Sequence, residues 1–268
     1  MRAAADVDVP VPASPPAVRR AGRLGDSALV LLGLLALWQF GSWVVGAAVL
    51  PAPAATLAKL WAIMSSSDFG GHAWETGRAF LSALAIAFAA GLAIGLLLGA
   101  HRLSAEVAEP ILVALYAIPK ITLYPIILLL FGLGISAKIA FGVIHGIVPV
   151  AVFTMAAVRN IRPVYLRAAR AMRLTPVQTA GRIMLPAALP GIVSGLRIGF
   201  SLTLLGTLIG EMFASQRGIG YLLVKAMETN DVATVVALAT LLIVVATIVS
   251  GALLALNRRL DRSPKPGR

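Results

Sequence analysis

Arginine is concentrated in the one long polar interruption of an otherwise apolar chain. Positions 159–189 hold six arginines and no acidic residue. Within them Leu166, Ala169 and Met172 share one face at helical spacing, while Arg167, Arg170 and Arg173 line another. A basic amphipathic segment of this kind makes and breaks no bonds; it is shaped to be gripped by a partner or to lie on anionic lipid. Three more charged residues, Lys120, Arg197 and Glu211, fall inside or beside apolar runs, with His145 near them. Charge placed in hydrocarbon is costly and often marks a solute path, so Arg197, Glu211 and Lys120 are the candidate pathway residues. Snorkelling of Lys120 and Arg197 to a nearby edge, and pairing of Glu211 with Arg78 or Arg217, are the structural alternatives.

Other chemistry is poorly served. There are no cysteines, which removes disulfides, thiolate metal sites and cysteine nucleophiles. The three histidines, His72, His101 and His145, are scattered and suggest no metal site. No G-x-x-x-x-G-K-[ST] stretch is present, so no phosphate-cradling loop is recognisable and any ATP is hydrolysed by another subunit. A membrane-embedded hydrolase would need a Ser/His/Asp or His/Glu group gathered on facing spans, and none is visible. A carrier driven by an ion gradient would need mid-membrane carboxylates in matching broken helices; Glu211 alone approaches that.

Bulk composition supplies the frame for these residues. Only 13% of the 268 residues are charged and 59% are hydrophobic, whereas a soluble domain carries about 25% charged residues. The predicted fold class is an all-α polytopic membrane protein with six transmembrane helices at 28–50, 74–100, 110–131, 137–158, 190–213 and 232–256. Each is near or above the ~20 residues needed to cross the hydrocarbon. The segment 53–65, with Leu57, Leu60, Trp61 and Met64 on one face, is too short to cross and is expected to lie along the interface. Residues 1–27 form a Pro- and Ala-rich leader, expected to be disordered, and 257–268 a basic tail. With both termini in the cytoplasm, sixteen Lys and Arg fall on that side and five on the other, which fixes the orientation by the inside-positive bias. The net charge of +12 therefore speaks for membrane lipid, and nucleic acid is not expected because aromatic platforms and a separate basic domain are missing.

Two spans carry doubled glycine repeats, Gly91, Gly95, Gly99 and Gly191, Gly195, Gly199. Such strips let another helix approach to backbone contact. Pro119 and Pro125 in the third span and Pro149 in the fourth are expected to kink their helices. Between the fourth and fifth spans, Pro163 suits a first helical turn, and Thr175-Pro176-Val177-Gln178 reads as a capping box with proline at the first helical position. A two-helix cytoplasmic loop is predicted, its second helix ending before Pro186 and the fifth span opening at Pro190.

This loop resembles the E-A-A-x3-G-x9-I-x-L-P motif in permease subunits of binding-protein-dependent ABC importers. The matching residues are Ala168, Ala169, Ile183, Leu185 and Pro186. The likeness extends over about 28–262 and is strongest to the nitrate, sulfonate and taurine permease group. It includes Leu50-Pro51 with Pro53, then Arg78, Pro119 and Pro125, and Phe131-Gly132 with Gly134. It continues through Pro190, Gly195-Leu196-Arg197, Glu211-Met212, Gly218 and Gly220. The resemblance implies a permease in a bacterial inner membrane, moving a small solute such as a sulfonate, taurine or nitrate. It also implies a second permease copy (identical or different), an ATPase subunit that binds Mg-ATP, and a solute-binding protein outside; this chain itself holds no cofactor and is not an enzyme. Arg167, Ala168, Ala169, Arg170, Met172, Arg173, Ile183, Leu185 and Pro186 would form the ATPase-coupling surface. Two residues depart from the motif: Arg167 stands for its glutamate and Arg173 for its glycine. If the chain needs a positive φ at position 173, arginine costs about 1 kcal/mol there relative to glycine.

Overall fold

The computed structural model of the chain describes residues 23–260, which are helical with no strand among them. Most of the leader and residues 261–268 lie outside the described residues. The helices are α1 (Arg23–Val45), α2 (Pro53–Met64), α3 (Phe69–Gly99), α4 (Arg102–Ala117), α5 (Tyr124–Phe131), α6 (Ile135–Arg159), α7 (Pro163–Ala171), α8 (Pro176–Thr179), α9 (Leu185–Ala214), α10 (Ile219–Glu228) and α11 (Val232–Leu260). Among the described residues five continuous helical stretches are long and apolar enough to cross a membrane, and α4 with α5 passes the same test as a bent pair, making up to six. This is the predicted all-α polytopic class.

The glycine strips decide the packing. A methyl group on Gly95 would lie 2.5 Å from Thr154 Cβ and 2.7 Å from the Ala151 carbonyl, both on α6. Gly91 meets Val150 and Gly99 meets Val158 in the same way. On the other side of α6, Gly191 meets Ala157, Gly195 meets Phe153 and Gly199 meets Val150. Both doubled repeats therefore seat on α6, which runs between α3 and α9 and is the most enclosed span. Its own Gly142 takes Ala83 of α3 and Thr207 of α9. Without Cβ atoms the helices approach until dispersion contacts form along the backbone, the main source of helix association in lipid.

Two expectations are corrected. The third span is not one kinked helix over 110–131: α4 begins earlier, at Arg102, and is followed by a 3-10 turn at Lys120–Leu123 and α5, the two halves bent by 81°. The bend falls at Ile118-Pro119, where proline excludes the helical conformation of the residue before it; Ile118 has ψ 130°. Pro125 merely occupies the first turn of α5, and α6 runs unbroken past Pro149. Pro149 is buried against its neighbours, the situation in which a membrane helix tolerates proline. The fifth span likewise does not open at Pro190. Helical structure runs from Pro176 through a π-helical turn at Ala180–Met184 into α9. The Leu185 N–H reaches back to the Ala180 carbonyl. Pro186 cannot donate to position 182, and its ring would press on that carbonyl; widening the preceding turn keeps the helix going past it.

The short helix α2 forms as predicted, with Leu57 and Trp61 exposed and Thr56 buried. It is tied to the start of α11 by Lys59 Nζ to Asp231 Oδ2 at 3.2 Å. Asp231 also caps α11 through the N–H and hydroxyl of Thr234 at 3.0 and 2.6 Å. These Thr234 bonds, then Lys59, hold the Asp231 carboxyl below the usual carboxylate range. At the opposite end of the bundle Arg159 of α6 pairs with Glu109 of α4 at 2.7 Å, and Arg102 with Glu106 at 2.8 Å.

Replacing Gly95 by leucine is expected to destabilise the bundle by about 1–3 kcal/mol or more, because the clash is with backbone and a β-carbon rather than a movable side-chain tip. Gly77, on the same helix with no atom within 4 Å of its would-be Cβ, should accept alanine without loss. Thermal unfolding of the two purified variants compares them directly.

Candidate functional site

Polar side chains gather at the two ends of the α3–α6–α9 core. At one end stands the elbow made by α7 and the extension of α9. The capping box is present: Gln178 N–H reaches Thr175 Oγ1 at 3.3 Å and Thr175 N–H reaches Gln178 Oε1 at 3.0 Å. Helix α7 ends in a Schellman arrangement, with Leu174 N–H on the Ala169 carbonyl at 3.1 Å and Arg173 N–H on the Arg170 carbonyl at 3.0 Å. Arg173 takes the left-handed position with φ 52°. The strained site expected from the motif's missing glycine is therefore real, and backbone bonds, rather than the arginine side chain, satisfy these last carbonyls.

The predicted coupling residues divide by exposure. Arg167, Ala168, Arg170, Met172, Arg173, Leu185 and Pro186 are exposed, and Ile183 is half-buried. Ala169 is buried, 1% exposed, where α7 leans on the π turn. Met172, expected on the same face as Leu166 and Ala169, is 67% exposed; it is the C-cap, one residue beyond the helix, so the i, i+3 progression no longer aims it inward. Leu166 does face in, packing with Met184 against Val158, Ile161, Ala188 and Ile192.

The pathway candidates are not brought together. Lys120 begins the 3-10 turn at the break of the third span, its Nζ donating to the Tyr116 carbonyl at 3.0 Å and lying 5.2 Å from that ring's centre. Arg197 is half-buried in α9 with no side-chain hydrogen bond among the described residues. It lies fourteen residues from Glu211 in the sequence, about 21 Å along a helix. His145 turns back to its own helix, with Nδ1 2.8 Å from the Phe141 carbonyl.

Glu211 instead organises the far end. It is fully buried and makes neither of the pairings, with Arg78 or Arg217, that stood as the structural alternative to a pathway role. Thr76 Oγ1 lies 2.9 Å from both carboxylate oxygens, Gly220 N–H donates at 2.9 Å, and Lys138 Nζ stands at 4.0 Å. The Gly218 backbone, at φ 124°, runs where the carboxylate already fills the space a Cβ would need. Lys138, counted from sequence only as one of the five cations on the non-cytoplasmic side, is 1% exposed and donates to Glu75 at 3.1 Å and the Arg217 carbonyl at 2.9 Å. The available signal was its register: positions 138, 141, 142 and 145 share the face of α6 that is buried. Beside this network a cleft of about 400 Å³ is lined by Glu75, Lys138, Ser215, Gln216 and Arg217 with Leu133 and Phe213.

A bundle of membrane-length helices with a projecting amphipathic elbow is compatible with transport, and comparison with known proteins decides the family. The model of the family described as binding-protein-dependent transport system inner membrane component matches residues 87–262. The chain belongs to that family. It is thus the membrane component of a multi-component transport system, a permease rather than an enzyme, and multi-pass in the inner membrane. The taurine transport system permease protein TauC of Escherichia coli is 30% identical over 79% of this chain and 78% of its own length. The riboflavin transport system permease protein RibX of Chloroflexus aurantiacus is 32% identical over 90% and 92%. A probable ABC transporter permease of Haemophilus influenzae is 36% identical, but only over 53% of this chain and 58% of that protein. Among solved structures, an inward-facing form of the MetNI methionine ABC transporter superposes with TM-score 0.62 at 23% identity, over 70% of this chain and 94% of that one, a likeness of fold.

Truncating Glu211 to alanine should cost about 3 kcal/mol or more, since it strands the Gly220 donor and leaves Lys138 with one carboxylate fewer. Glu211→Gln, which still offers an acceptor oxygen, should lose distinctly less. Melting temperatures of the two variants against the parent test the ordering.

Proposed function

We propose that the permease pairs with a second permease copy, is driven by a separate Mg-ATP-binding ATPase subunit seated on the α7 elbow, and receives its solute from a binding protein at the α10 end. In this reading the elbow and both termini are cytoplasmic, as the distribution of lysine and arginine requires. The observation that carries it is the elbow itself. Met172 and Val177, 67% and 82% exposed, stand among Arg167, Arg170, Arg173 and Arg182 with no covering element among the described residues. An apolar patch ringed by one sign of charge suits a groove with apolar walls and acidic edges.

The elbow also has the mechanics of a lever. From Pro176 to Phe213 the chain is one helical stretch of 38 residues, about 57 Å at 1.5 Å per residue. Motion of the ATPase against α7 reaches the opposite end of the core through this helix and through its close contact with α6, as rigid-body movement. Arg159, four residues before α7, carries the same motion to the broken third span through Glu109.

For the cargo, the likeness to taurine and aliphatic sulfonate permeases supports a small organic anion such as a sulfonate or taurine, the basic Arg197 and Lys120 suiting negative charge. The extended match to a riboflavin permease favours a second reading, a larger heterocyclic solute. Uptake of labelled taurine, an alkanesulfonate and riboflavin into proteoliposomes with the ATPase and binding protein separates them. ATP-independent accumulation would defeat both.

The coupling assignment makes its own demands. Ala168→Glu, an exposed change on the basic face, should lower ATPase association and coupled uptake while leaving the melting temperature unchanged; unaltered association removes α7 from the interface. Arg173→Gly should stabilise the elbow by about 0.5–1 kcal/mol, since φ there is positive, and should maintain or raise coupled ATP turnover, read as phosphate release.

A further inference from the structure

At the outer end, four consecutive backbone groups are each taken by a different side chain. Lys138 donates to the Arg217 carbonyl at 2.9 Å; the N–H groups of Gly218, Ile219 and Gly220 go to His72 Nδ1 at 3.1 Å, Thr76 Oγ1 at 2.8 Å and Glu211 Oε2 at 2.9 Å. Those N–H groups open α10, where a helix has no internal acceptors. Side chains of α3 and α9 supply the cap and clasp the turn at 215–220 onto the spans, while within the turn Ser215 Oγ bonds the N–H and the carbonyl of Arg217.

One of these bonds depends on a proton. A backbone N–H only donates, so Nδ1 must be the bare nitrogen of His72, with the ring proton on Nε2. A proton on Nδ1 turns the acceptor into a donor facing a donor. It also adds a positive charge where Arg217 of the turn, Lys225 of α10 and Lys59 of α2 already line the adjoining clefts. Tyr221 of α10 lies parallel to the imidazole, 5.9 Å between ring centres. The acid that lines the same clefts as His72 is Asp68; Glu75, three residues further on, and Asp231, at the start of α11, are already engaged by Lys138 and Lys59. Loss of the Gly218 bond frees the residue next to the Arg217 carbonyl, and with it the hold of the turn on Lys138.

We propose that His72 is a proton-sensitive latch: neutral, it keeps the Gln216–Gly218 part of the outer turn clasped, and protonated, it releases that part while Thr76 and Glu211 still hold the start of α10. This concerns the outer face alone and is independent of what drives transport.

The absence of cysteine allows a clean test. Gln216→Cys, at an exposed position of the turn, carries a single nitroxide on the full-length chain, reconstituted with its ATPase subunits in nanodiscs. Spectra are taken from about pH 8 to about pH 5, bracketing the ordinary histidine pKa of about 6.5. The mobile fraction should rise several-fold on acidification in the parent and stay low throughout in His72→Gln, whose amide oxygen accepts from Gly218 without titrating. A flat profile in the parent, the same rise in His72→Gln, or a nitroxide mobile at every pH in that variant each overturn the latch. Histidine-selective NMR of the unsubstituted chain gives a variant-free check: the His72 titration must coincide with the nitroxide transition, and separate midpoints overturn the proposal.

Discussion

Three membrane helices meet at backbone distance because the positions between them have no side chain. Lipid gives apolar helices little reason to prefer one another to acyl chains, so association has to come from dispersion and fit. Gly91, Gly95 and Gly99 on one flank of α6, and Gly191, Gly195 and Gly199 on the other, supply that fit. Gly206 and Gly210 extend it until α9 touches Phe141 and Lys138. Both polar ends of the molecule presuppose this contact. With α9 displaced outward by one methyl group along its length, Glu211 would no longer reach Thr76, and the π turn would no longer back α7.

The two ends are built on opposite principles. At the clasp, charged and polar groups are buried and mutually satisfied, with Glu211, Lys138, Thr76 and the opening turn of α10 completing one another's hydrogen bonds. Such a network resists partial disassembly, because each group released is left uncompensated in a poor solvent. At the elbow, charge is solvated and single-signed, apolar side chains stand free, and one arginine occupies a backbone conformation that glycine prefers. A surface of that kind gains by being covered. The helical stretch from Pro176 to Phe213 joins the open end to the closed one.

Much of the elbow could be read in advance, because its signals are local. A capping box needs four residues in order, and Thr175 to Gln178 provide them. The left-handed residue after α7 was indicated by the position the motif reserves for glycine. The glycine strips announced close packing without identifying α6 as the shared partner, since spacing of four describes one helix and says nothing of its neighbour. The break in the third span was half legible: Pro119 marked the place, while the 81° bend depends on what α5 packs against, including Ala137 and Phe141. Continuity of the fifth span through Pro186 was missed because a proline near a predicted helix end is usually a stop, and a π turn has no sequence signature of its own.

Residue order alone was enough to show that the chain spans a membrane, which flank is basic, where the elbow starts and turns, and that two spans seek a backbone-level neighbour. Composition, period and capping chemistry act over a few residues or a single helix, so they survive without knowledge of the fold. Tertiary structure alone decided the partners of the buried charges. Glu211 lies 135 residues from Thr76, and His72 lies 146 from Gly218, and at such separations many cations compete on paper for one carboxylate. Only the glycine-limited spacing of α3, α6 and α9 brings Thr76, Gly220 and Lys138 to Glu211 and leaves the guanidinium groups of Arg78 and Arg217 away from it.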